Sequence, residues 1–248
     1  METMEEKINI NNSLIKNSYI YIIILGQSMN YNKVLYHGTD KSSAKKIIAD
    51  NFKPSEGNNH WLGDGVYFYE EKFHAFKWEW YKCPKDKKKD KNYLKNRVAI
   101  VMAKVNCEES RVFNLDRIEH KLLFEEMYKE INTTTKLLKN LKDGACAEGV
   151  VLNYMFNKYG YIKKFDIVKA LFPIPHKKYY NIIIQEKCKP IKKKTHRLTF
   201  MPEVQVCIKN TSVIDKNSLK ICDINDEVVD VFIELTQKYD YGLDEVEL

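Results

Sequence analysis

Lys33-Val34-Leu35-Tyr36-His37-Gly38-Thr39-Asp40 runs directly into Lys41-Ser42-Ser43-Ala44-Lys45-Lys46-Ile47-Ile48-Ala49-Asp50, and the change of pattern between the two sets the fold class. Residues 33–36 are rich in β-branched and aromatic side chains, which predicts a strand. In 41–50, Ala44, Ile47 and Ile48 fall on one helical face, and Asp40 or Ser42 supplies the cap. Working outward, strands are expected at 19–25, 65–69, 97–105, 165–172 and 204–209. Apolar residues on both parities mark 97–105 as a strand buried on both faces. Helices are expected at 71–81, presenting Phe73, Phe76 and Trp80, at 146–158 and at 223–235. Another carries Leu122, Leu123, Met127 and Ile131 and continues through 137–141 to a stop at Asp143-Gly144. Strands and helices interleave without a regular βαβ repeat. The fold class is therefore α+β with a mainly antiparallel or mixed sheet, not a doubly wound nucleotide fold.

At 248 residues the chain has room for one sizeable core. No internal repeat and no Pro/Gly/Ser-rich linker divides it, so 29–248 reads as a single domain and 1–28 as a peripheral N-terminal segment. The formal charge is +7, concentrated in lysine-rich runs at 82–95 and 187–194. Such runs either attract phosphate backbones and acidic partners or keep a loop solvated. The six cysteines are scattered, without CxxC or Cys/His spacing, which fits free thiols in a reducing compartment and no metal. The apolar stretch 19–25 is far too short to span a bilayer and lacks the flanks of a signal peptide. A cytoplasmic protein with no membrane partner is expected.

Three short segments carry chemistry. Leu35-Tyr36-His37-Gly38-Thr39 is the first, Leu62-Gly63-Asp64-Gly65-Val66-Tyr67-Phe68 the second, and Met201-Pro202-Glu203-Val204-Gln205-Val206-Cys207 the third. A flat ring such as Tyr67 can stack on a planar heterocycle, an interaction of roughly 1–3 kcal/mol by analogy with base stacking. A histidine nitrogen at His37 can donate to a sugar hydroxyl without carrying charge, and Gly38 lets a ligand amide approach the backbone. A carboxylate at Glu203 can stabilise a sugar turning cationic as its glycosidic bond breaks, or orient the nucleophile. Strand period places Gln205 on the same face as Glu203, so either can be the key residue, but only Glu203 can act as a base. Trp61 either lines the cleft or packs elsewhere. Asp64 either caps a turn or touches a ligand. Trp78 lies on the aromatic helix, which reads mainly as core.

Together, His-Gly-Thr, Gly-Asp-Gly-Val-Tyr-Phe with a following helix, and Pro-Glu-Val-Gln-Val resemble the ADP-ribosyltransferase superfamily. The nearer likeness is to its poly(ADP-ribose) polymerase and diphtheria-toxin-like branch, with its His-Tyr-Glu signature. The resemblance implies a split two-sheet core with flanking helices that grips NAD as co-substrate. It also implies that Glu203, His37 and Tyr67 are catalytic and that His37, Gly38, Thr39, Tyr67 and Gln205 hold NAD. The loop before the catalytic strand, about 173–200, would contact the target through Tyr179, Tyr180 and Arg197. The implied activity is transfer of one ADP-ribose to a macromolecular acceptor (RNA, DNA or protein) with release of nicotinamide. That suits a microbial toxin, effector or anti-phage defence enzyme, with an antidote or regulatory protein as a further partner. Two other readings keep the fold: an NAD glycohydrolase, and a non-catalytic module that binds NAD or ADP-ribose.

Overall fold

A computed structural model describes residues 29–172, 203–222 and 224–238. The expected strand at 19–25 and the target-contacting residues Tyr179, Tyr180 and Arg197 lie outside the described residues. The fold is α+β, with one mixed sheet of seven strands. In chain order these are β1 Asn30–Asp40, β2 Val66–Tyr69, β3 Val98–Glu108, β4 Val112–Asn114, β5 Ile167–Phe172, β6 Glu203–Ile208 and β7 Ile214–Ile221. The helices are α1 Lys41–Asp50, α2 Lys72–Tyr81, α3 Lys91–Arg97, α4 Ile118–Thr134, α5 Ala147–Lys158 and α6 Asp226–Lys238. No helix among the described residues is long and apolar enough to cross a membrane.

The strands lie in the order β4-β5-β6-β2-β1-β3-β7, antiparallel throughout except for β4 beside β5. The two central strands barely meet. β1 pairs with β3 along its whole length, from Asn30↔Glu108 to Asp40↔Val98, yet it pairs with β2 only at Tyr36↔Tyr69. β2 turns its other edge to β6, from Val66↔Ile208 to Tyr69↔Gln205. The architecture is thus one sheet with a narrow joint, where two separate sheets were expected.

Alternation along the strands builds cores on both faces. Leu35, Val66, Phe68, Val101 and Val206 pack with Ala44 of α1 and Phe52 on one side. On the other, Phe113, Val168 and Cys207 meet Met127 and Ile131 of α4 and Val151, Leu152 and Met155 of α5. Val98, Ile100 and Tyr69 meet Ala75, Phe76 and Trp80 of α2 and Val229 and Ile233 of α6. β3 is buried on both faces from Val98 to Val101, as its apolar run predicts, whereas Lys104, Asn106 and Glu108 farther along are exposed.

Asp40 caps α1, accepting from the backbone N–H groups of Ser42 (2.8 Å) and Ser43 (2.9 Å). The helix ends at Asn51, whose φ of 74° turns the chain away. Ile48 departs from its expected inward face and is 40% exposed, because Ala44 and Ile47 already fill the contact. α4 stops at Thr134 instead of continuing through 137–141. Thr133, Thr134 and Thr135 each hydrogen-bond a carbonyl in the preceding turn (2.7–3.0 Å), and their branched side chains disfavour further helix. The lysine-rich 82–95 is no featureless loop. Asp90 accepts from Tyr93 N (3.0 Å) and starts α3, whose Leu94 is fully buried.

Candidate active site

His37, Gly38, Thr39, Tyr67 and Gln205 line one cavity of about 540 Å³ that opens where β1 and β2 diverge. This volume falls in the range of small-molecule sites, roughly 300–1,000 Å³. One wall is the side of α1, through Ser43, Lys46, Ile47 and Asp50. Trp61, Trp78 and Lys82 form part of the rest.

His37 spans the joint. Its Nδ1 lies 2.7 Å from the carbonyl oxygen of Tyr67, and its ring meets Phe52 and Phe68 edge-on at 5.2 and 5.8 Å. A carbonyl can only accept, so Nδ1 carries the proton and donates. Burial pushes the imidazole pKa down to about 4, with the Tyr67 hydrogen bond opposing and the charge of Lys82 assisting. At neutral pH the ring is therefore uncharged and its Nε2 is a bare acceptor. The sequence reading had the histidine donating to a sugar hydroxyl. The tautomer leaves Nε2 able only to accept.

Tyr67 sits across from His37 with its phenol fully engaged. The hydroxyl donates to Gly63 O (2.7 Å) and accepts from Leu62 N (2.9 Å). Burial, first among the causes, pushes its pKa far up. The ring is left to make contacts in the cavity, while the oxygen holds the 61–65 loop. Lys209 secures the same loop, its Nζ donating to Leu62 O (2.6 Å) and to Asp64 O. Asp64 N donates to Asn153 Oδ1 (2.6 Å), and the Asp64 carboxylate accepts from Gly57 N (3.0 Å). Of its two expected roles, Asp64 takes that of holding the turn.

Gly38 is glycine for a reason beyond ligand access. A Cβ there would lie 1.7 Å from the carbonyl oxygen of Ala75, so α2 packs on β1 through the missing side chain. Gly149 does the same for α5, whose Cβ position falls 1.6 Å from His60 O.

At the start of β6, Gln205 is 3% exposed and donates through Nε2 to Glu203 Oε1 at 2.6 Å. Gln205 lines the cavity and Glu203 stands directly behind it, so the two alternatives of the sequence reading form one unit. The other carboxylate oxygen of Glu203 accepts from Lys77 Nζ of α2 at 3.1 Å, with side-chain exposures of 16% and 8%. Lys77 also lies 5.6 Å from the Tyr81 ring centroid. Close by, His74 is 2% exposed, and its Nδ1 has no partner among the described residues. Burial lowers its pKa to about 4, opposed by the charge of Glu203.

Sequence reasoning missed Lys77 and Lys209. The signal for Lys77 was present in Phe73-His74-Ala75-Phe76-Lys77-Trp78, where a lone cation interrupts an aromatic helix and must find a buried anion. Lys209 gave no such signal, because its partners are backbone carbonyls. Among the described residues no group of three or more His, Cys, Asp or Glu side chains is placed to hold a metal ion.

No family model matches the chain, and no solved structure matches it. Uncharacterized protein MJ0359 of Methanocaldococcus jannaschii is 56% identical over 215 residues, covering 85% of this chain and 97% of the archaeal one. At that identity and coverage, the chain belongs to the same family as this archaeal protein.

Proposed function

We propose that the protein is an NAD-dependent ADP-ribosyltransferase that moves one ADP-ribose to a macromolecular acceptor and releases nicotinamide. The observation that carries this reading is the meeting of His37 and Tyr67 across the β1/β2 joint, with the Gln205–Glu203 pair beside the same cavity. In this reading the Tyr67 ring stacks on nicotinamide, and His37 Nε2 accepts from a ribose hydroxyl. Glu203, one hydrogen bond beyond the cavity-lining Gln205, opposes the positive charge that develops on the sugar as the C1′–N bond breaks, an electrostatic role that is strongest where water is excluded. Lys77 and Gln205 fix the carboxylate so that its orientation costs nothing at the moment of reaction.

Nicotinamide release from NAD, measured for wild type, Glu203→Ala and Gln205→Ala, tests the assignment. The expected result is a loss of at least about a hundredfold for Glu203→Ala, in the range seen when one charge-stabilising group is removed. Equal turnover by wild type and Glu203→Ala would refute a catalytic carboxylate. Free ADP-ribose accumulating in the presence of every acceptor class would assign water as the nucleophile and make the enzyme a glycohydrolase.

A further inference from the structure

The chain contains three tryptophans. Trp80 is 5% exposed in the core, but Trp61 and Trp78 are each 39% exposed, and both line the cavity that holds His37 and Tyr67. Large aromatic side chains left half in water at the edge of one cleft are placed for a ligand with a flat apolar face. Trp61 has Phe172 at 5.0 Å between ring centroids. Trp78 carries Lys82 Nζ at 5.1 Å from its ring centroid, and Lys82 lines the same cavity.

The turn that follows α2 is rich in lysine and is tied to Trp80. Beyond the end of α2 come Lys85, Lys87, Lys88, Lys89 and Lys91, against Asp86 and Asp90. Trp80 Nε1 donates to Lys88 O at 2.9 Å, and the Lys88 ammonium lies 4.5 Å from the Trp80 ring and 5.4 Å from the Tyr81 ring. Cys83 N to Trp80 O (3.1 Å) and Lys87 N to Pro84 O (2.9 Å) fold the turn back on the helix. Lys82 pairs with Glu79 (3.2 Å), Lys87 with Asp86 (3.7 Å) and Lys91 with Asp230 (2.5 Å), so the cationic ridge is partly neutralised, and Lys82 joins it to the cleft that the two tryptophans edge.

We propose that this ridge and the Trp61–Trp78 edge bind single-stranded nucleic acid, and that an unstacked base seated there accepts the ADP-ribose. The inference rests on the transferase reading above and names its acceptor. Phosphates meet the lysines, and a base stacks on tryptophan, the combination by which proteins hold single strands. A duplex keeps its bases stacked and offers no free face. An acidic protein would satisfy the lysines but leave the tryptophans without a purpose. In the transfer, the C1′–N bond to nicotinamide breaks and its electron pair leaves on the nicotinamide nitrogen. A lone pair of the base nitrogen forms the new bond to C1′, and the proton that nitrogen sheds passes to water.

The test has two arms, both on the full chain. Anisotropy of labelled RNA and DNA strands of about 12 nucleotides, and of the matching duplex, measures binding without NAD. Single strands of either sugar should bind at least about tenfold tighter than duplex, with affinity falling steeply as salt rises. Trp78→Ala should weaken single-strand binding about 5- to 100-fold, and Trp78→Phe should restore much of it. Unchanged circular dichroism would show that both variants fold. Lys87→Glu with Lys89→Glu should weaken binding to RNA and DNA alike while nicotinamide release into water stays at the wild-type rate. In the second arm, label from NAD should move to the single strand. Equal affinity for duplex and single strand, indifference to Trp78→Ala, or label moving only to protein would each overturn the proposal. No nicotinamide release in any arm would overturn the transferase reading itself, whereas release without labelling of either strand would overturn the acceptor alone.

Discussion

Replacing Lys77 by Met removes one half of an ion pair that joins α2 to β6 across 126 residues of sequence. The Nζ–Oε2 distance is 3.1 Å, and the side chains are 8% and 16% exposed. At an effective dielectric of about 20, two unit charges at that distance attract by about 5 kcal/mol before desolvation is counted. Desolvation of both groups offsets most of this, so the pair contributes only modestly relative to a well-packed apolar one. Breaking it from one side is different, because Glu203 is then left poorly hydrated with Gln205 as its hydrogen-bond partner among the described residues. Lys77→Met should therefore cost about 2–4 kcal/mol, and Glu203→Gln, which takes the anion away from Lys77, should also be destabilising. The double variant strands neither charge. Urea unfolding followed by circular dichroism on the four proteins closes the cycle. The expected coupling is about 1–3 kcal/mol, with the double variant more stable than the sum of the singles implies. Nicotinamide release should fall in Lys77→Met even though Lys77 does not line the cavity, since the carboxylate loses the partner that aims it. Stabilities that add to within about 0.5 kcal/mol would refute the pairing, and full activity in Lys77→Met would refute its orienting role.

Tyr67→Phe keeps the ring but deletes both hydrogen bonds to the 61–65 loop. It should destabilise the fold by about 1–3 kcal/mol and retain far more nicotinamide release than Tyr67→Ala, read by urea midpoints and initial rates. Gly38→Ala forces a methyl to within 1.7 Å of a backbone carbonyl, so soluble folded protein should be lost or thermal unfolding lowered by more than about 10 °C. Stability should fall as pH drops from 7.5 to 5.5, because His37 and His74, each lowered to about 4, take up protons in the unfolded chain before the folded one. Each contributes about 1 kcal/mol over that interval, His120 is shifted the same way, and Glu79, shifted up, works in the opposite sense. A urea midpoint flat between those pH values would refute the neutral, buried state of both rings.

Local signals in the chain were strong where one interaction decides the outcome. Cap candidates at Asp40 and Ser42 mark where α1 begins to within two residues, and the apolar run from Val98 marks the part of β3 that is buried on both faces. Elements that depend on a neighbour for their hydrogen bonds stayed hidden. β4 is three residues long and exists because β5 lies beside it. β7 is a mostly exposed edge strand whose polar residues give no alternation, and α3 lay within a lysine run where a single buried leucine anchors it. At the site, residue types could be read from the sequence but their states could not. The proton on Nδ1 follows from a carbonyl on another strand, and the engaged phenol of Tyr67 follows from a loop pinned by Lys209. Helical spacing did separate the two tryptophans of α2, since Trp80 shares the buried face of Phe73 and Phe76 and Trp78 does not.

The joint between β1 and β2 explains why the cavity lies where it does. A sheet interior normally leaves no room for a ligand, because each strand satisfies its neighbour's backbone groups. Here β2 is only four residues long and meets β1 at one register position, so the facing edges diverge from His37 onward. A side chain takes over where the ladder stops, with the imidazole of His37 hydrogen-bonding the Tyr67 carbonyl and so holding the two edges at a fixed spacing. One side of the gap is closed by α2, pressed onto Gly38 through Ala75, and the other is walled by α1. Lengthening β2 so that it paired further with β1 would fill the same space with ladder hydrogen bonds. The shortness of β2 is therefore as much a part of the site as the side chains that line it.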